Sequence, residues 1–267
     1  YTKLTAGAKI NFEGKDYNLA GLGPFHSDTN RDIRKKSYEA RYHWFKDNEQ
    51  ELDNIYDKLV KLRHKIAVTL GYENFINLGY DRMGRSDYGP EQVSNFRKQI
   101  VEQVVPIVSK LHEQKKDILG LDKLYFYDGI NFKDGDPKPK GTPHELINAA
   151  QEMYHELSPE TGEFFDKMVN EELMDLVNRD GKRPGGFCTS FPKYDRPYIF
   201  SNFNGTDHDI TVLTHEAGHA FQNYSSKHLP LVNYHWPTME AAEIHSMSME
   251  FFTWPWMKKF FKEDTEK

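Results

Sequence analysis

Apolar residues recur at spacings of three and four over most of this chain, and the period shortens to two in only a few short stretches. The first alternation is Ile10, Phe12, Tyr17 and Leu19 around Gly14, which predicts a short hairpin. Residues 30–70 then run as charged helix, with Ile55, Leu59, Leu62 and Ile66 on one stripe and Gly71 as the stop. Further helices are expected over residues 90–119, 143–157 and 159–177. Each begins at a proline, which a first helical turn tolerates. Pro106 should bend or divide the first of them. Residues 128–143 are rich in Gly, Pro and Asp and predict a loop. Two β-rich runs follow, 187–191 and 198–203, with "PKYDRP" between them as a hairpin loop.

The next segment, "HDITVLTHEAGHAFQNYSS", reads as one helix with Thr206 or Asp207 as its N-cap. At 100° per residue, Ile210, Leu213, Ala217, Ala220, Phe221 and Tyr224 share an arc of about 100°, and His215 and His219 lie roughly opposite, with Glu216 beside them. Histidines at i and i+4 carry their Cβ atoms about 6 Å apart. That lets two imidazoles meet one ion at Zn–N distances of about 2.0–2.1 Å. His215-Glu-Ala-Gly-His219 is thus an H-E-x-x-H pattern, whose Glu216 can act as general base on a metal-activated water. Chance alone gives this pattern in about 4% of chains of such composition, so a third ligand matters.

Catalytic zinc takes three protein ligands and keeps one position open. Residues 238–263 read as a helix opened by Pro237 and Thr238 and kinked at Pro255. Glu243 and Glu250 sit two turns apart on nearly one face, so Glu243 could bind the metal while Glu250 orients a ligand imidazole. Glu240 and His245 compete for the ligand role, and spacing alone does not separate Glu240 from Glu243.

Composition narrows the setting. Of 267 residues, 28% are charged, and no apolar run approaches the roughly 20 residues a bilayer span needs, so no membrane partner is expected. The net charge of −6 is spread along the chain without a basic stripe, which argues against nucleic acid. The lone cysteine, Cys188, allows no internal disulfide and suits a reducing, cytoplasmic compartment; it reads as a small buried hydrophobe. The chain opens at Tyr1, its first Met is Met83, and neither end carries a signal or lipidation motif, so it reads as a piece of a longer protein.

"VLTHEAGHAFQ", "TMEAAEIHSMSMEFF" and the upstream "YIFSNFNGTDHDI" together resemble the catalytic segment of the thimet oligopeptidase family of zinc peptidases, most closely its bacterial oligoendopeptidase F branch. The resemblance implies a mainly α, zincin-type catalytic domain, with a small β-sheet (hairpin about 187–203) beside the H-E-x-x-H helix. It implies one Zn²⁺ per chain on His215, His219 and Glu243, Glu216 as base, and oligopeptides as substrates, with folded proteins excluded by a narrow channel. The "FSNFNG" strand resembles the edge on which substrate lies, making Phe203, Asn204, Gly205 and His208 candidate contacts, with Gly218 leaving room for close approach. Residues 1–267 then read as a partial catalytic domain, lacking an N-terminal region and the C-terminal Tyr- and His-bearing substrate segment.

Two other readings compete. Glu152-Met-Tyr-His155 and Glu216-Ala-Gly-His219 make two E-x-x-H pairs, as a di-iron protein wants, but Glu152 and His155 lie opposite an apolar stripe and should face solvent. The other is a zinc-binding fragment that is catalytically incomplete. Oligomeric state has no signature in the sequence.

Overall fold

A computed structural model of the chain describes residues 1–261. In chain order its elements are α1 (Thr2–Ala6), β1 (Ile10–Phe12), β2 (Lys15–Tyr17), α2 (Gly23–His26), α3 (Arg31–Asp47), α4 (Glu49–Thr69), α5 (Phe75–Arg82), α6 (Pro90–Gln99), α7 (Val105–Leu119), α8 (Pro143–Leu157), α9 (Pro159–Asn170), β3 (Met174–Val177), β4 (Phe187–Phe191), β5 (Arg196–Phe203), α10 (His208–Ser226) and α11 (Met239–Thr253). The chain is mainly α, as expected. It divides into two compact units: residues 29–135 with Tyr1, and residues 2–28 with those from 136 onward.

The first unit holds α3 to α7. Residues 30–70, expected as helical, form two helices, α3 and α4, that meet at Asn48, whose backbone and side-chain amides both donate to the Trp44 carbonyl at the end of α3. At Gly71 the helix stops as expected: φ is +87°, and the Tyr72 amide reaches back to the Ala67 carbonyl. Pro106 divides α6 from α7 through a wide π turn over Ile100–Val104, because proline cannot donate to the preceding turn.

The second unit carries the chemistry. Phe12 pairs with Lys15 across Glu13 and Gly14, both at positive φ (50° and 80°), the conformation of a tight two-residue hairpin turn. Asn18 donates its side-chain amide to Asn178 and to the Arg179 carbonyl, fixing this hairpin's exit against the second sheet. That sheet has the order β3-β5-β4: β5 runs parallel to β3 and antiparallel to β4. Alternate residues of β5 are buried, and Ile199 and Phe203 join a core with Met153 and Tyr154 of α8, Phe164 and Phe165 of α9, and Leu213 and Ala217 of α10.

Strand β3 falls where residues 159–177 read as one helix. The reversal uses Glu172 at φ +54°, with the Leu173 amide donating to Met168 and the Glu172 amide to Val169, a helix stop usually marked by glycine. The helix expected over 238–263 ends at Thr253 and tightens into a 3₁₀ turn over Trp254–Lys259 around Pro255; residues 262–263 lie outside the described part. The "FSNFNG" strand is no edge: β5 lies in the middle of its sheet, and β4 is the outer strand on one side.

Candidate metal centre

Helix α10 starts without the expected cap. Asp207 sits at the N-cap in a helical conformation with no side-chain bond to the turn. Asp209 reaches back instead, and its carboxylate accepts the amides of Asn204 and Gly205 at 2.8–3.1 Å. Burial raises the Asp209 pKa, and those two amides oppose the shift. Asn204 is held in turn, donating to the Ala20 carbonyl and accepting from the Thr206 hydroxyl.

One face of α10 packs on the core through Ile210, Leu213, Ala217 and Ala220, all buried. Its other face meets α11 at Gly218. A Cβ there would stand 2.7 Å from the Ser246 Cα and 3.0 Å from the His245 carbonyl, so the two helices touch backbone to backbone. This close approach, made by a helix and not by a ligand, carries the acidic residues of α11 over the histidines of α10.

The result is compact. His215 Nε2 lies 3.1 Å and His219 Nε2 3.7 Å from one oxygen of Glu243, Oε2. Among the described residues these three are the one group of His, Cys, Asp or Glu able to share an ion, with ligand atoms all within 4.8 Å of one another. Donors around a tetrahedral zinc at its usual bond lengths stand about 3.3 Å apart. The fit is good, and the two-nitrogen, one-carboxylate set is one that zinc accepts. Glu240 and His245 are outside the group.

Neighbours orient the set. His215 Nδ1 donates to Glu250 Oε1 at 2.6 Å, which leaves Nε2 as the free lone pair. Ser246 donates its hydroxyl to Glu243 Oε2 at 3.0 Å. The Trp236 ring lies against His219, with centroids 5.6 Å apart. Sequence reasoning missed both; Ser246 one turn after a ligand was a legible signal, whereas nothing marked Trp236. Glu216 and His219 are each only 7% exposed. Burial pushes the Glu216 carboxyl up to about 7; His215 opposes this, Glu243 adds to it, and the backbone amide of Cys188 on β4 opposes it. Burial likewise lowers the His219 pKa. The Cys188 thiol is raised to about 12 by burial and then by Glu216, and the residue packs partly buried against the core.

Of the other candidates, Phe203 is buried in the core, Asn204 and Gly205 are engaged in the turn before α10, and His208 is exposed on the first turn of α10. Glu152 and His155 face away from the core, with Glu152 paired to Lys259 and His155 to Asp166.

The model of Peptidase family M3 matches residues 25–267. The chain belongs to peptidase family M3. Relatives in that family include an "Oligoendopeptidase F homolog" of Borreliella burgdorferi, 27% identical over 85% of this chain and 38% of its own length. Another is a chromosomal oligoendopeptidase F of Lactococcus lactis subsp. cremoris, 25% identical over 94% of this chain and 40% of its own. A solved structure of Pz peptidase A with an inhibitor superposes with a TM-score of 0.97 at 56% identity, covering 100% of this chain and 48% of that one. The chain thus spans less than half the length of these M3 relatives. Among the described residues no helix is long and apolar enough to cross a membrane.

Proposed function

We propose that the chain carries the catalytic centre of a zinc-dependent endopeptidase that cuts short oligopeptides, with a cytoplasmic setting. The observation that carries this reading is the meeting of His215, His219 and Glu243 beside the buried carboxyl of Glu216. Zinc bound by those three would polarise the scissile carbonyl and make water acidic enough to ionise near neutral pH.

The remaining work falls to the chain. Glu250 keeps His215 in the tautomer whose Nε2 can ligate, and the Ser246 hydroxyl holds Glu243 Oε2 toward both imidazoles. Glu216, one residue along from His215, takes the proton of the attacking water and passes it to the leaving amine. An extended peptide would add at β4, because both edges of β5 are occupied. His208 is exposed and able to meet such a peptide, while Phe203, Asn204 and Gly205 would act by fixing the turn that starts α10.

The test pairs zinc content with cleavage of an internally quenched oligopeptide. Glu216→Gln should keep one zinc per chain and lose turnover in the full-length enzyme; turnover at the parent rate would remove Glu216 from its role. A second reading, a metal-binding portion that is incomplete by itself, is favoured by the chain's span of only 38–40% of its curated relatives. Zinc uptake without cleavage by residues 1–267, beside an active full-length protein, would select it.

A further inference from the structure

The loop between α10 and α11 is tied to α10 at the turn that follows His219. Asn223 is buried, lies one turn along from His219 on the same face, and donates its side-chain amide to the His235 carbonyl at 3.2 Å. Gln222 donates to the same carbonyl at 3.4 Å. The loop also closes on itself: His235 Nε2 donates to the Leu229 carbonyl at 2.8 Å, with a 3₁₀ turn over Val232–Tyr234 between them. Pro237 follows Trp236, and a residue before proline is kept out of the helical region, so Trp236 has little backbone freedom of its own.

One anchored carbonyl therefore sets where the next side chain goes. Consecutive Cα atoms are about 3.8 Å apart, and residues four apart on a helix face are neighbours at about 5–6 Å. A chain held at 235 beside Asn223 thus brings residue 236 within reach of His219. The indole and imidazole centroids are 5.6 Å apart with the ring planes at 36°. That spacing lies inside the range of attractive aromatic pairs.

The two histidines are thus oriented by different means. His215 is turned by its hydrogen bond to Glu250. His219 has no such acceptor among the described residues; the rings against it are His215, edge-on at 5.0 Å, and Trp236. An imidazole bound to a dication becomes electron-poor, and an indole face attracts such a partner more strongly than a neutral one.

We propose that Trp236 is a positioning residue for His219: the clamped loop lays the indole on the imidazole and holds Nε2 toward the ion, as Glu250 does for His215. The inference rests on the reading of His215, His219 and Glu243 as zinc ligands.

Zinc titration of the full-length enzyme against a chromophoric chelator tests it, beside NMR of the histidine rings in the zinc-free enzyme. Trp236→Leu should raise the zinc Kd at least tenfold, while Trp236→Phe, which keeps an aromatic face, should stay within threefold of the parent. A Kd within twofold of the parent in Trp236→Leu overturns the proposal, and so does an equal loss in both variants, since stacking would then contribute nothing. In the zinc-free enzyme the His219 ring signal, assigned by its absence from His219→Gln, should move in Trp236→Leu and in Asn223→Ala, where the indole is kept but unclamped. A His219 signal that neither variant moves overturns the proposal, whatever happens to zinc binding. At saturating zinc the KM of Trp236→Leu should stay within twofold; a KM raised tenfold with zinc affinity unchanged would make Trp236 a substrate contact and overturn it. No zinc uptake by the parent would sink the ligand reading instead, and the His219 signal alone then decides whether the loop holds the ring.

Discussion

Replacing Gly218 by alanine sets two effects against each other. In an isolated helix the change gains about 1 kcal/mol, because glycine loses more backbone freedom on folding. Here the new methyl would lie 2.7 Å from the Ser246 Cα, 2.9 Å from the Met249 Cβ and 3.0 Å from the His245 carbonyl oxygen. Non-bonded carbons rest about 3.5–4.0 Å apart, so α11 must withdraw by about 1 Å, and no rotamer change relieves a clash with backbone. Overpacking of this kind costs about 1–3 kcal/mol, and a backbone contact belongs at the upper end. The net loss is then about 2 kcal/mol, or a fall of about 4–8 °C in melting temperature for a chain of this size. Glu243 rides on α11 one turn before Ser246, so the same movement widens its 3.1 Å approach to His215 Nε2 beyond what one zinc can bridge. Calorimetry of the metal-free chain and zinc titration against a chromophoric chelator measure both effects. A Gly218→Ala protein that melts at or above the parent, with unchanged zinc affinity, would refute the backbone contact and leave only the propensity gain.

Glu250→Ala removes the acceptor at 2.6 Å from His215 Nδ1 and should weaken zinc binding by about 10–100-fold with little change in melting of the metal-free chain; an unchanged Kd would show that the imidazole is oriented by something else. Glu243→Ala should lower zinc affinity far more than Glu240→Ala, and the reverse order in a competition titration would exchange their roles. Asp175, hydrogen-bonded to Arg179 and Lys182, has its pKa lowered to about 2 despite some burial. A depressed folded-state pKa stabilises above the unfolded value near 3.8 and is lost as pH falls toward 2. The parent should therefore exceed Asp175→Asn by about 1–2 kcal/mol in urea unfolding at pH 6 and lose that margin near pH 2; a difference independent of pH would contradict it.

The helix bearing His215 and His219 was legible because its signals are local: a long stretch without proline, an apolar arc and an i, i+4 pair. Features set by non-local pairing were not. That "FSNFNG" lies mid-sheet depends on β3 arriving from more than twenty residues upstream, and β3 itself was hidden because Glu172 performs a reversal that glycine usually announces. The cap supplied by Asp209 is a side-chain bond to backbone that several other polar residues nearby could equally have made. In the site, spacing along one helix left Glu240 and Glu243 open, and which of them lies beside the two histidines depends on how α11 docks across Gly218.

A donor set divided between α10 and α11 also ties occupancy to folding by mass action. Any ion that binds only when the two helices are docked raises the free energy of unfolding by RT ln(1 + [L]/Kd), about 4 kcal/mol at a thousandfold excess over Kd. By reciprocity, whatever loosens the seam at Gly218 must appear as weaker binding by the same free energy, and whatever strips the ion must appear as a looser seam. On the proposed zinc reading, the melting temperature of this chain should report free zinc as well as its core, and two preparations that differ only in chelator should melt apart.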